Sequence, residues 1–269
     1  MKIKLKVLIE NTVFQPDAKA ELGFSLYIET GTKKILFDTG QSGLFADNAK
    51  LFDINIADID ALVLSHGHYD HTGGLERFLS LNGKAPIYVK KGYDEAKYNG
   101  MQRYIGVPQN IEIPEDRLVY VEKPMEIAEG IHLMPEIKIF DKGDTHFTRL
   151  NKMDNNTLVE DQFDDELYLA IVKSGKLTLI SGCAHRGISN VVRSAQEHFP
   201  LPLNLVMGGM HTIHEESAKL ERLANQFNLL KAERLVPCHC TGINQYAILK
   251  SHCNCPVDYG HIGMNVFIE

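Results

Sequence analysis

No stretch of this chain stays apolar for the roughly 20 residues that a membrane-spanning helix requires, so no transmembrane segment is expected. The opening residues, MKIKLKVLIENTVF, lack an apolar core followed by a small-residue cleavage site. Their alternation of Ile3, Leu5, Val7 and Ile9 with lysines is the pattern of a half-exposed strand. With no export signal in view, a cytoplasmic protein is expected. Basic residues are also outnumbered, 28 Lys and Arg against 35 Asp and Glu for a net charge of −7. That balance argues against general affinity for nucleic acid or anionic membrane, whose phosphates need basic surface, although a local basic groove fits within an acidic total. A small molecule is the expected partner, and homo-oligomerisation is left open. Cysteines are few and odd in number, five in all with four after residue 237. A disulfide scaffold is not expected in a chain of this length, so they read as thiols or ligands. No internal repeat or low-complexity linker divides the 269 residues, of which 44% are apolar. A single domain over residues 1–269 with a large core is the expectation.

What is present is concentrated in residues 61–75, ALVLSHGHYDHTGGL. Residues 61–64 form a short apolar run that fits a buried strand. Within six residues of its end come His66, His68, Asp70 and His71. Imidazole and carboxylate are the ligands that zinc-like divalent metals take. Two histidines one residue apart at a strand's end point to the same side, because strand side chains repeat every second residue. Asp70 and His71 then fall on the turn into a helix, where they can face a second metal. A lone histidine there would read as part of an ordinary polar loop. Four ligand-type side chains in so compact a pattern read as a metal site.

The run His66-Gly67-His68-Tyr69-Asp70-His71, with Thr72-Gly73-Gly74-Leu75 after it, resembles the HxHxDH signature of the metallo-β-lactamase superfamily. The resemblance implies an α/β (α+β) fold, the four-layer αββα sandwich, with one or two metals at the edge between its sheets and usually a hydrolase activity. It also implies that Asp38, in Phe37-Asp38-Thr39-Gly40, buttresses the metal loop without being a ligand. A turn-initiating Asp before Gly would give the same local geometry.

Elsewhere, residues 1–9, 24–28 and 34–37 read as strands, 44–52 and 75–81 as helices, and 86–89 as a strand. A helix is expected near 93–98 and strands at 117–122 and 130–134. Residues 141–166 are polar and acidic, an insertion that reads as a substrate flap bearing His146, Thr148 and Arg149 or as a solvated loop. Residues 167–172 and 177–180 flank a Ser174-Gly175 turn as a hairpin. The helix at 215–231 sets Leu220, Leu223, Phe227 and Leu230 on one core face.

Three later strands each run directly into ligand-type residues. They lead to Ser181-Gly182-Cys183-Ala184-His185, to Gly208-Gly209-Met210-His211, and to Cys238-His239-Cys240-Thr241-Gly242. One such strand end would be weak evidence, but three in succession suggest a shared site. In the resembled family, Cys183 stands where many members carry a metal-bridging Asp, and His239 matches the last metal-binding His. The usual His before Leu167 has no match, since Asp164-Asp165-Glu166 is there instead. His185 is expected to replace it, two residues beyond Cys183, where extended backbone would turn both side chains the same way. His211 and His214 lie loosely where the tRNase Z-like branch carries a helper His. The three motifs together look most like the branch named for dihydropterin ribofuranosylaminobenzene-phosphate synthase. The pairs Cys238-x-Cys240 and Cys253-x-Cys255 are spaced more tightly than the usual zinc or iron–sulfur pairs.

The expected cofactor is two divalent metal ions, zinc foremost, with iron and manganese as alternatives. His66, His68 and His185 would hold one, and Asp70, His71 and His239 the other, with Cys183 between. The expected enzyme is a cytoplasmic metallo-hydrolase whose metal-activated hydroxide attacks an anionic phosphoester or phosphodiester. Asp70 would orient the nucleophile, and His211 would protonate the leaving group. The alternative is a synthase joining a dihydropterin to ribofuranosylaminobenzene 5'-phosphate. A redox diiron site fits less well, because such sites rely on carboxylate-rich ligands and a flavin domain.

Overall fold

The computed structural model describes residues 2–269. The expected first strand runs Ile3–Ile9, and Met1 lies outside the described residues. The chain divides into two compact units, each with its own hydrophobic core. One comprises Met1–Glu122, Phe147–Leu167 and His261–Glu269, and the other Lys123–His146 and Tyr168–Gly260.

The first unit is built on a seven-stranded sheet. Its order is Asn265–Ile268, Ile3–Ile9, Ser25–Glu29, Lys34–Phe37, Ala61–Val63, Ile87–Val89 and Leu118–Tyr120. Pairing is antiparallel as far as Lys34–Phe37 and parallel beyond it. The parallel strands KILF and ALV are apolar on both faces, as strands covered on both sides are. Helices Leu44–Leu51 and Leu75–Leu81 place Phe45, Ala49, Leu75 and Phe78 in a core with Leu8, Leu36, Leu62 and Ile87 of the sheet. Because the parallel strands end at one edge, the turns after Phe37 and Val63 lie side by side. The Asp38 N–H donates to the Val63 carbonyl at 2.8 Å.

A second sheet in this unit has four antiparallel strands, in the order Thr157–Glu160, Leu150–Asp154, Lys97–Asn99 and Arg103–Tyr104. Two expectations are corrected here. Residues 93–98 form no helix, because Lys97–Asn99 pairs across to Leu150–Asp154. Nor is the polar stretch 141–166 a loop throughout, since Leu150–Asp154 and Thr157–Glu160 form a hairpin. Its acidic end is not solvated either. Asp161 and Asp165 are buried with their carboxylates on the Lys97 ammonium, and Glu166 is buried beside them.

The second unit carries a six-stranded sheet ordered Arg234–Cys238, Leu203–Gly209, Lys176–Ser181, Tyr168–Lys173, Ile131–Met134 and Met125–Ala128. The expected hairpin is present, and its second strand starts a parallel run with the next two. Helices Ile188–His198, Ser217–Leu229 and Ile243–His252 follow those three strands in turn. Val191, Val192 and Ala195 from one helix, and Leu220, Leu223 and Phe227 from the next, share a core with Leu179, Val206 and Leu235. Leu230, expected on the same core face, is 38% exposed. It is the cap residue beyond the last helical turn, where cover from the sheet has run out.

The two positions separate experimentally. Phe227→Ala is expected to lower stability by about 3–5 kcal/mol through lost burial and a cavity. Leu230→Ala should stay within about 0.5 kcal/mol, as surface changes do. Denaturant melts of both variants check this, and equal losses would show that Leu230 belongs to the core.

Candidate metal centre

In the first unit the strand Ala61–Val63 empties into Ser65, His66, Gly67 and His68, and a short helix, Tyr69–Thr72, carries Asp70 and His71. The three histidines are buried and Asp70 is half-buried. The His66 ring centroid lies 4.6 Å from that of His68 and 4.3 Å from that of His71. Buried imidazoles crowd in this way when something fixes the rings, and for His66 and His71 it is Asp38. Its Oδ1 accepts the Ser65 N–H at 2.7 Å. Its Oδ2 accepts the Ser65 hydroxyl and the His71 Nδ1–H, both at 2.7 Å. The Ser65 hydroxyl proton is then committed to Asp38, so the 2.9 Å contact from His66 Nδ1 must have the imidazole as donor. Both rings therefore carry their proton on Nδ1 and present Nε2 as an acceptor, the form in which imidazole binds metal. This is the buttressing that the resemblance implied for Asp38. The loop is also tied from behind, with the Thr39 N–H and hydroxyl both donating to the His71 carbonyl, at 2.7 and 2.9 Å.

In the second unit, parallel pairing sets Ser181 beside Gly208 and Gly209 beside Cys238, so the three strand ends fall level. Just beyond them Ala184, His211 and His239 all adopt left-handed backbone, with φ of 53°, 48° and 53°. Such residues cost on the order of 1–3 kcal/mol each and cluster where a site demands them. The outcome is one buried donor cluster. Ligand atoms of Cys183, His185 and His211 lie within 4.8 Å of one another, as do those of Cys183, His239 and Cys240. Cys183 and His185 thus do come together, but through a left-handed turn at Ala184 and not the extended backbone expected from the sequence. The Cys240 sulfur accepts the His211 N–H at 3.3 Å. Gly209 leaves room for it, since a Cβ there would lie 2.5 Å from that sulfur.

His146 joins this cluster, while Thr148 and Arg149, its companions in the expected flap, are exposed. Its Nδ1 lies 3.2 Å from a Glu215 carboxylate oxygen that also holds Lys219 at 2.6 Å. Its ring centroid is 5.3 Å from that of His211, and its N–H donates to the His185 carbonyl at 2.8 Å. Burial, then His211 and Lys219, push its pKa down to about 2, so it is neutral near pH 7. Among the described residues, no group of three ligand-type atoms that close includes Cys238, Cys253 or Cys255. Burial and then the nearby Cys255 push the Cys253 thiol up to about 12. Sequence reasoning missed Glu215 as a support, which carries no local signal, and singled out Cys240 only within its Cys238-x-Cys240 pair.

The donors in both clusters are imidazole, thiol and carboxylate. That chemistry fits zinc, iron or a similar borderline ion better than magnesium, which keeps an octahedral shell of oxygens. No helix among the described residues is long and apolar enough to cross a membrane.

Residues 19–239 match the metallo-beta-lactamase superfamily. An uncharacterised protein of Methanocaldococcus jannaschii is 31% identical over 268 residues, 96% of this chain and 98% of its own length. A second protein of that organism, named 7,8-dihydropterin-6-methyl-4-(β-D-ribofuranosyl)-aminobenzene-5'-phosphate synthase, is 30% identical over 240 residues, 82% of this chain and 80% of its own. Among solved structures, a metal-dependent hydrolase of the β-lactamase superfamily shares 30% identity and a TM-score of 0.87, with 99% of each chain covered. The Bacillus subtilis metallo-β-lactamase fold protein YhfI, at 15% identity and a TM-score of 0.58, agrees in fold alone. The mixed α/β arrangement with its several sheets is thus the expected fold class. Taken with the match over most of its length, this places the chain in the metallo-β-lactamase superfamily.

Proposed function

We propose that this protein hydrolyses a small anionic phosphoester or phosphodiester with two divalent metals, zinc foremost. His66, His68, Asp70, His71, Cys183, His185 and His239 would supply the ligands. The observation that carries this reading is the Asp38–Ser65 network, which commits His66 and His71 to the metal-binding tautomer. Family membership across both units, and the 30% identical structure of a metal-dependent hydrolase, support it. When bound, such metals bring a water's pKa from 15.7 towards about 7 and stabilise developing negative charge. The protein's own part is orientation and proton handling. Asp38 and Ser65 hold two imidazoles in place, and the half-buried Asp70 carboxylate orients the attacking water. His211, fixed by its strained backbone and by the clip to Cys240, donates the proton that the leaving group needs. Neutral His146 faces it and adds no competing charge.

A second reading is favoured by one observation, the 30% identity over 80% of the length of the protein named as a synthase. In that case the same centre would join a dihydropterin to a ribofuranosylaminobenzene 5'-phosphate. Metal-reloaded protein assayed on a panel of phosphomonoesters and phosphodiesters decides between them. Metal-dependent turnover of a phosphoester is expected. Product from the two synthase substrates, with every phosphoester untouched, would overturn the hydrolase reading.

Elemental analysis after anaerobic, chelator-free purification and reloading is expected to find two metals per chain. One metal or none would refute the binuclear centre. His185→Ala should abolish tight binding at one metal and remove turnover with the circular dichroism spectrum unchanged, whereas His198→Ala, at an exposed helix position, should change neither. An alanine variant at 185 that keeps both metals and full turnover would exclude His185 as a ligand. Cys183→Asp should shift metal preference from zinc towards manganese, because a carboxylate is a harder ligand than a thiolate. Competition between the two ions measures this, and an unchanged preference would take Cys183 out of the ligand set.

A further inference from the structure

Where the resembled family carries a ligand His before Leu167, this chain has Asp164-Asp165-Glu166, and the structure shows what Asp165 does instead. It is 3% exposed, and both of its oxygens are engaged. Oδ1 accepts from the Lys97 ammonium at 2.9 Å, and Oδ2 accepts the Gly67 N–H at 2.8 Å. Gly67 is the residue between His66 and His68. Lys97 is itself 1% exposed and reaches a second carboxylate, Asp161, at 2.6 Å.

We propose that Asp165, anchored by Lys97, is a positioning residue that fixes the His66-Gly67-His68 peptide and so sets the affinity of the metal held by those histidines. The inference rests on the metal reading above. Gly67 has nowhere else to go, since a Cβ built on it would lie 1.7 Å from the Tyr93 carbonyl oxygen. The peptide is therefore clamped between that carbonyl and the Asp165 carboxylate. A second grip lies two residues along, where the Leu167 N–H donates to the Ser65 carbonyl at 2.8 Å. Asp161 accepts the Phe163 N–H at 2.8 Å and steadies a left-handed residue, φ 52°, whose ring lies 5.3 Å from His68 and 6.1 Å from His66. Lys97 sits 5.2 Å from that ring's centroid. Lys97 shares its ammonium between the two carboxylates at the back of the His66-Gly67-His68 loop. Asp165 has thus exchanged ligation for support of the ligands.

The full-length protein, stripped and retitrated with Zn²⁺ against a chromophoric chelator, tests this. Asp165→Asn keeps the side-chain volume but leaves one oxygen for two donors. It is expected to weaken one of the two zinc sites about 10–100-fold, the range typical of groups supporting metal ligands, and to leave the other site at wild-type affinity. Asp165→Glu keeps the charge and moves the carboxylate by one methylene, and it should also weaken that site. It serves as well if the asparagine variant fails to fold. Asp161→Asn removes an equal charge without touching Gly67, so its loss should be smaller. Wild-type affinity at both sites in either Asp165 variant, or equal losses at 161 and 165, would overturn the positioning role. His66→Ala separates the two readings. If it keeps both metals, the metal assignment fails; if it loses one while Asp165→Asn loses nothing, only the present inference fails.

Discussion

A carboxylate with no exposed surface organises the first unit. Asp38 is fully buried, and removing such a charge from water is very costly unless hydrogen bonds replace the lost solvent. Three do so, from the Ser65 N–H, the Ser65 hydroxyl and the His71 ring. Each donor is consequently immobile, because letting go would strand the charge. The chain accepts a left-handed backbone at Asp38, φ 60°, to aim the carboxylate. Parallel pairing of the strand before Asp38 with the strand before Ser65 makes that aim reproducible. Sheet register, a buried charge and histidine tautomer are therefore one linked constraint.

In the second unit a comparable crowding of donors around Cys183, His185 and His211 is reached by other means. There the backbone does the placing. Three parallel strands end level, three left-handed residues turn the chain back, and the Cys240 sulfur joins the 183 and 211 loops through contacts with the Cys183 carbonyl and the His211 N–H. Thr241 adds a further tie, its hydroxyl accepting the Met210 N–H at 3.1 Å. One cluster is set by charge and the other by strain and close packing.

What was legible in the sequence follows from these differences. The histidines at 66, 68 and 71 announce themselves because six residues hold the whole pattern. His185 and His239 could be located because each follows an apolar strand and is flanked by small residues. The support around them left no such mark. Lys97 and Asp161 are 64 residues apart, and Asp165 and Gly67 are 98 apart. His146 meets Glu215 across another long separation. No period or spacing encodes contacts of that kind, so the acidic stretch around Asp165 looked like solvated loop, and Lys97 looked like part of a helix. The left-handed turn at Ala184 was equally hidden, since alanine does not signal that conformation as glycine or asparagine would. The metallo-β-lactamase resemblance supplied the architecture; local pattern alone supplied the elements and not their arrangement.

The first unit is assembled from three separate stretches of chain, and its strand Ile3–Ile9 pairs on one side with Asn265–Ile268. Until residues 265–268 are in place, that flank of Ile3–Ile9 is open. An unpaired strand rich in isoleucine, leucine and valine is a template for intermolecular pairing. Lys4 and Lys6 alternate with its apolar residues and interrupt that run with charge. Charges so placed lower the tendency of a waiting strand to pair with another chain.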